Sequence, residues 1–267
     1  MIRDITIGQY YKADSVIHRL DPRVKLMGTL IFIISLFMGM NIWIYAVVTV
    51  ALAVVIKMSR IPLKFMVRGL KSIVILIIIS AVFNLFLTPG DVLIQIWKLT
   101  ITYQGLKMAI FMVVRLIYLI VGTSLMTLTT TPNNLTDGLE KGLGFLKVIK
   151  VPVHEIAMMM SIALRFIPIL IEETDKIMKA QMARGADFEN GSLIKRAKAM
   201  VPILVPLFVS AFRRANVLAM AMEARCYHGS EGRTKMKPLK YEKRDRIAYI
   251  SMVLYLGVII IVKIIVA

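Results

Sequence analysis

Residues 177–191 read IMKAQMARGADFENG and residues 217–229 read VLAMAMEARCYHG, so the ending Ala183-Arg184-Gly185 returns forty-one positions later as Ala224-Arg225-Cys226. A guanidinium is a planar fork of donors that fits a carboxylate or a row of backbone carbonyls. Small residues on both sides of it let a chain end enter a groove, and Ala180 and Ala221 fall in the same register. The chemistry of such an ending is recognition rather than bond breaking. A basic residue at a helix C-terminus also complements the helix dipole with no partner at all. It is the repetition of the whole ending that points past this simpler role.

Residue types that could do catalysis occur in arrangements that do not support it. His154-Glu155 opens the zinc-protease pattern H-E-x-x-H, but its last position is Met158, and the other histidines are His18 and His228. The chain has neither a G-x-x-x-x-G-K-[ST] phosphate loop nor a G-x-S-x-G nucleophile elbow. No metal, cofactor or catalytic residue is therefore expected on this chain. Cys226 is the single cysteine, which excludes an intrachain disulfide. Arg115 falls inside an apolar run with no acid nearby, where it would line a polar path or meet a carbonyl or an amphipathic neighbour.

The elements that must carry these residues are membrane helices. With 58% hydrophobic residues and a mean hydropathy of +0.75 over 267 residues, the chain is too apolar for an ordinary soluble domain. Its net charge of +18 lies in loops between apolar runs, which orients spans rather than building a nucleic-acid surface. The first twenty residues hold six charged or histidine side chains and no apolar core, so no cleavable signal is expected. Apolar runs at 26–40, 43–56, 72–87, 106–128 and 247–267 predict about five spans, the first two short enough to require tilting or local thinning. Lys57, Arg60, Lys64, Arg68 and Lys71 form an acid-free loop, and Arg233, Lys235, Lys237, Lys240, Lys243, Arg244 and Arg246 form a second basic stretch. Both are read as cytoplasmic, which puts the N-terminus there too. The segment from Asp91 to Gln104, with Trp97 and Tyr103, reads as an external interfacial stretch.

Residues 129–228 do not behave as simple spans. One long helical pattern follows Pro152 and ends before Gly185, placed for a left-handed C-terminal cap. A second begins after Ser192, an N-cap candidate, with Pro202 and Pro206 expected to bend it. A helix from 192 to 225 would be about 50 Å long. If this helix crossed the bilayer, the two Arg motifs would face opposite compartments; if the pair lies along the cytoplasmic face, both face the cytosol, well apart, and suit a partner with two similar sockets. Met158, Met159, Met160 and Met220 offer either core filling or an adaptable apolar docking surface. The expected organisation is a four-span membrane domain over 1–128, a coupling-helix region over 129–228, and a basic loop with the last span over 229–267. The fold class is all-α and polytopic, with a long cytoplasmic-side helix hairpin.

SVIHRLDPRVKL (15–26), LRFIPILIEETDKIMKAQMARG (164–185) and RRANVLAMAMEARCYHG (213–229) resemble the T component of energy-coupling factor transporters, the EcfT or CbiQ family. The resemblance covers nearly the whole chain. It implies a non-catalytic subunit of an ABC-type importer in a prokaryotic cell membrane. In that family two cytosolic ATPase subunits, of the EcfA and EcfA-prime type, bind ATP and Mg and grip two X-Arg-X motifs. A separate membrane S component captures a vitamin or a transition-metal ion. Carried over by position, the motifs are Ala183-Arg184-Gly185 and Ala224-Arg225-Cys226, the latter with Cys where Gly is usual. Two other readings stand beside this one. Glu223-Ala224 with Gly229 matches part of the E-A-A-x-x-x-G loop of an ordinary ABC permease, but the downstream I-x-L-P is missing and Arg184 is left unexplained. An intramembrane enzyme would need a nucleophile, metal or acid pair at workable spacing.

Overall fold

The computed structural model describes residues 10–71, 73–96, 99–186, 188, 192–229, 236 and 238–266. Trp97, Asn190, Gly191, Arg233, Lys235 and Lys237 lie outside the described residues. Nine α-helices appear among those described: α1 (Pro22–Phe37), α2 (Ile42–Ser59), α3 (Leu63–Lys71), α4 (Val74–Leu87), α5 (Tyr103–Thr129), α6 (Pro132–Gly142), α7 (Val153–Ala183), α8 (Leu193–Glu223) and α9 (Lys243–Val266). A 3₁₀ segment, Gly144–Ile149, precedes α7, and one antiparallel hairpin, β1 (Val92–Ile96) with β2 (Leu99–Thr102), joins α4 to α5.

The protein is an all-α polytopic membrane protein. Five helices are long and apolar enough to cross a bilayer, namely α2, α5, α7, α8 from Lys198 onward, and α9, with α3 and α4 making a sixth as one bent span. The number agrees with the sequence expectation, but the set differs. Helix α1 has 16 residues and α4 has 14, shorter than the roughly 20 that a bilayer core asks for. The two long helices of the 129–228 region pass the same test of length and composition. The stretch read as interfacial is a β-hairpin, entered where Asp91 N–H donates to Gln104 Oε1 at 2.8 Å and closed where Thr102 Oγ1 caps α5 through the Gly105 amide at 3.0 Å.

The chain divides into two compact units. One joins Gly8–Leu139 to Leu239–Ala267 and the other is Glu140–Pro238. In the first, Leu36, Ile44, Tyr45, Val48 and Ile259 make a core of α1, α2 and α9, against which Phe111, Val114 and Tyr118 of α5 pack. Small residues allow the close helix approach that membrane packing favours. A Cβ on Gly122 would lie 2.3 Å from the Phe32 ring, and one on Gly28 would lie 2.5 Å from Met252 Cε.

Polar contacts close this unit. Asp21 is the N-cap of α1, its carboxylate accepting the Arg23 amide at 2.9 Å, with Pro22 at the first helical position. The Asp21 amide donates to the buried Asp245 at 2.9 Å, which also accepts from the Glu242 amide, so the starts of α1 and α9 are tied together. Burial disfavours the Asp21 charge, but the Arg23 hydrogen bonds outweigh it and hold the carboxyl below its ordinary value. Lys25, also buried, donates to the carbonyls of Thr129 at 2.8 Å and His18 at 3.2 Å. His18 bridges the Tyr11 carbonyl at 3.0 Å and the Ser15 hydroxyl at 2.7 Å, and burial pushes its pKa down. Arg115, buried in α5, donates to the Tyr45 hydroxyl at 3.0 Å, and its guanidinium lies 5.1 Å from the Phe37 ring centre. An amphipathic neighbour and an aromatic face are thus what this intramembrane cation meets.

Candidate functional site

Helices α7 and α8 have 31 residues each, about 46 Å at ~1.5 Å per residue. They run antiparallel. Arg214 and Ser210 of α8 reach Glu173 of α7, Gln181 faces Pro202, and Ile162 shares a groove with Met222. Pro168, Pro202 and Pro206 all lie inside these helices. A proline removes the amide that would bond the carbonyl four residues back. The carbonyl freed by Pro206 is that of Pro202, and Gln181 Nε2 stands 3.5 Å from it.

The two helices end in one and the same cap. At the end of α7, Ala186 N–H bonds the Gln181 carbonyl at 3.0 Å and Gly185 N–H bonds the Met182 carbonyl at 2.9 Å, with Gly185 at φ +87°. At the end of α8, Tyr227 N–H bonds the Met222 carbonyl at 3.0 Å and Cys226 N–H bonds the Glu223 carbonyl at 2.9 Å, with Cys226 at φ +54°. Both are Schellman caps, in which the left-handed residue lets two late carbonyls find donors. Arg184 and Arg225 are therefore equivalent cap residues, each followed by the left-handed position, and Ala183, Arg184, Gly185, Ala224, Arg225 and Cys226 are all exposed. What the third position requires is a backbone conformation and not only a small volume. Glycine meets that at no cost, whereas an L-residue there costs about 1–2 kcal/mol.

Because α7 and α8 are antiparallel, Arg184 lies near the turn between them and Arg225 at the far end of α8. The cap carbonyls give each Arg a fixed origin, and exposure leaves the guanidinium available. His154 does not approach a metal set: its Nδ1 lies 2.9 Å from Glu140 Oε1, and no group of three or more His, Cys, Asp or Glu among the described residues is placed to hold a metal ion.

Met159, Met160 and Met220 are exposed and Met158 is half-buried. Met220 continues an apolar strip along α8 made by Val205, Phe208, Phe212 and Val217, each more than half exposed. Sequence reading missed Gln181 and the pairing of Glu173 with Arg214. An arginine in mid-helix is costly where it faces lipid, and that cost at Arg214 is the signal that a partner was needed.

Apolar helices with exposed Arg-capped ends define a multi-pass membrane protein. The chain matches the CbiQ family, described as cobalt transport protein, over residues 13–236. It is 57% identical to the energy-coupling factor transporter transmembrane protein EcfT of Clostridium kluyveri over 250 residues, 93% of each chain. The protein of the same description from Thermosediminibacter oceani is 56% identical, covering 94% of each chain. That of Bacillus subtilis is 47% identical, covering 95% of this chain and 96% of its own. The chain belongs to the CbiQ family of membrane transport proteins.

Proposed function

We propose that the chain is the transmembrane coupling subunit of an energy-coupling factor importer, passing ATP-driven motion of two cytosolic ATPase subunits to a separate substrate-binding membrane subunit. The observation that carries this reading is the pair of matching caps: two exposed arginines, presented by the same backbone geometry, at the C-terminal ends of two antiparallel helices. Each arginine fits a carboxylate or carbonyl socket on one ATPase subunit. Hydrolysis of Mg-ATP belongs to those partners, and the vitamin or metal ion taken up is held by the substrate-binding subunit. The exposed apolar strip of α8, with Met220 and the methionines at 158–160, supplies a docking face for that subunit. The basic loops at 57–71 and 233–246, the first of them acid-free, favour a cytoplasmic N-terminus, and α7 and α8 lying along that face rather than crossing the bilayer keep both caps in the same compartment.

An engaged interface arginine is worth roughly 2 kcal/mol or more on truncation, which weakens one grip about thirtyfold. The second grip keeps the assembly tethered. Arg184→Ala and Arg225→Ala should each lower uptake with partial loss of the ATPases, and the double variant should lose them far more severely. Lysine should restore the interaction incompletely, since a point charge lacks the guanidinium fork. Pull-down of the ATPase pair by all five variants tests this. Full recovery with the double alanine variant, or full rescue by lysine, would leave only the helix-dipole role.

A further inference from the structure

The forty-one-residue offset that superimposes the two Arg motifs also superimposes Glu173 on Arg214, each eleven residues ahead of its motif arginine. In the fold these equivalent positions meet. Arg214 Nη2 donates to Glu173 Oε2 at 2.8 Å, and Ser210 Oγ, one turn earlier on α8, donates to Oε1 at 2.5 Å, so both carboxylate oxygens are engaged. Contact between equivalent residues of two antiparallel helices marks a point of approximate twofold symmetry. From it α7 runs on to Arg184 and α8 runs on to Arg225 in opposite directions, each over about 16 Å at ~1.5 Å per residue. The arms are equal.

The surroundings of this point are unlike a tightly packed helix pair. On the side leading toward Arg225, Ala211, Ala215 and Ala219 face Ile162, Phe166 and Leu170 across an apolar groove of about 290 Å³. Toward Arg184, Gln181 Nε2 approaches the Pro202 carbonyl at 3.5 Å. Interdigitated side chains would resist a change of crossing angle, because packed interfaces do not deform continuously. Small residues beside an open groove do not impose that resistance. A carboxylate held by two donors resists sliding instead: a shift of one turn, ~5.4 Å, would break both bonds, while a small rotation about the crossing would keep them.

We propose that Glu173, Ser210 and Arg214 form the pivot of the α7–α8 pair. They are positioning residues that fix where the helices cross and let the two arginine-tipped arms swing about that point. The proposal rests on the coupling function above. It assigns the pivot no contact with ATP, with the transported solute or with the ATPase subunits.

The test uses the complete complex, co-expressed and reconstituted with its ATPase and substrate-binding subunits. Glu173→Ala, Arg214→Ala, their double variant and the charge exchange Glu173→Arg/Arg214→Glu are compared, with Glu173→Gln as the near-isosteric variant should an alanine variant fail to fold. The readouts are ATPase retention, ATP hydrolysis and solute taken up per ATP hydrolysed. Single variants are expected to retain the ATPases and hydrolyse ATP within about twofold of the parent, while uptake per ATP falls tenfold or more. The double alanine variant should be no worse than the worse single one, as for residues that act as one unit. The charge exchange should recover at least half of the lost uptake. Unchanged uptake per ATP in the folded variants, loss of the ATPases in proportion to uptake, or no recovery on charge exchange would each overturn the pivot. Arg184→Ala/Arg225→Ala is the control for the underlying function. If that control keeps its ATPases, the coupling reading itself fails; if it loses them while the Glu173 variants transport normally, only the pivot fails.

Discussion

The two units treat their cations in opposite ways. In the unit formed by Gly8–Leu139 and Leu239–Ala267, Lys25 is tied to two carbonyls, Arg23 to Asp21, and Arg115 to the Tyr45 hydroxyl beneath the Phe37 ring. In Glu140–Pro238, Arg184 and Arg225 stand exposed on rigid caps. A charge inside apolar surroundings must be satisfied by its own chain, or the fold bears the desolvation cost. A charge left on the surface at a fixed position is free to satisfy something else. The contrast teaches that the first unit spends its polar groups on its own integrity, and the second presents two of them at its surface.

The largest effect expected from this contrast falls on binding. Removing both Arg184 and Arg225 should weaken partner association by about 4 kcal/mol, near a thousandfold, yet leave the thermal unfolding of the chain purified alone within a few degrees. A matching loss of thermal stability would make the arginines part of the fold. Next comes the reverse case. Tyr45→Phe takes the hydroxyl from a buried guanidinium, at a cost of about 1–3 kcal/mol, so the unfolding midpoint in detergent should drop while ATPase pull-down from the folded fraction is unchanged.

The third prediction sharpens the comparison between the caps themselves. Cys226→Gly should stabilise the end of α8 by about 1 kcal/mol and Gly185→Cys should destabilise the end of α7 by a similar amount. Amide exchange at Tyr227 and Ala186 reads the two ends separately, and equal slowing at both would refute a cap-specific cause. The smallest effect concerns pH. With the folded pKa of His18 depressed, its contribution is complete above its ordinary value of 6.5 and is lost as pH falls through the range below it. Asp21, also depressed, keeps its contribution above its ordinary 3.8 and loses it only as pH drops further. Exchange around Tyr11 to Leu20, corrected for intrinsic rates, should therefore rise on mild acidification, and His18→Gln should abolish that rise.

Much of the architecture was legible because membranes impose a one-dimensional rule: apolar length and basic loops announce spans. The left-handed Gly185 could likewise be read from local chemistry, whereas the Asp21-Pro22 start of α1 lies ahead of the apolar run at 26–40 and was not read. Cys226 was read by its volume, whereas the fold asks for a left-handed φ there, which a residue's size does not reveal. The β-hairpin was missed since pairing Val92 with Thr102 is a relation between segments and not a property of either. Glu173 and Arg214 were each visible as polar intruders, but their meeting depends on the rotation of two helices about their axes. Asp245 at the start of α9 gave no sign that it would accept the Asp21 amide.

That last contact spans 224 residues of sequence. At ~5–20 residues per second of synthesis, the ribosome would make Asp245 roughly 10 to 45 s after Asp21. Throughout that interval the start of α1 lacks its α9 partner, and the whole of the α7–α8 pair is made within it. The unit that carries the buried helical core is thus completed in synthesis only after the arginine-tipped pair.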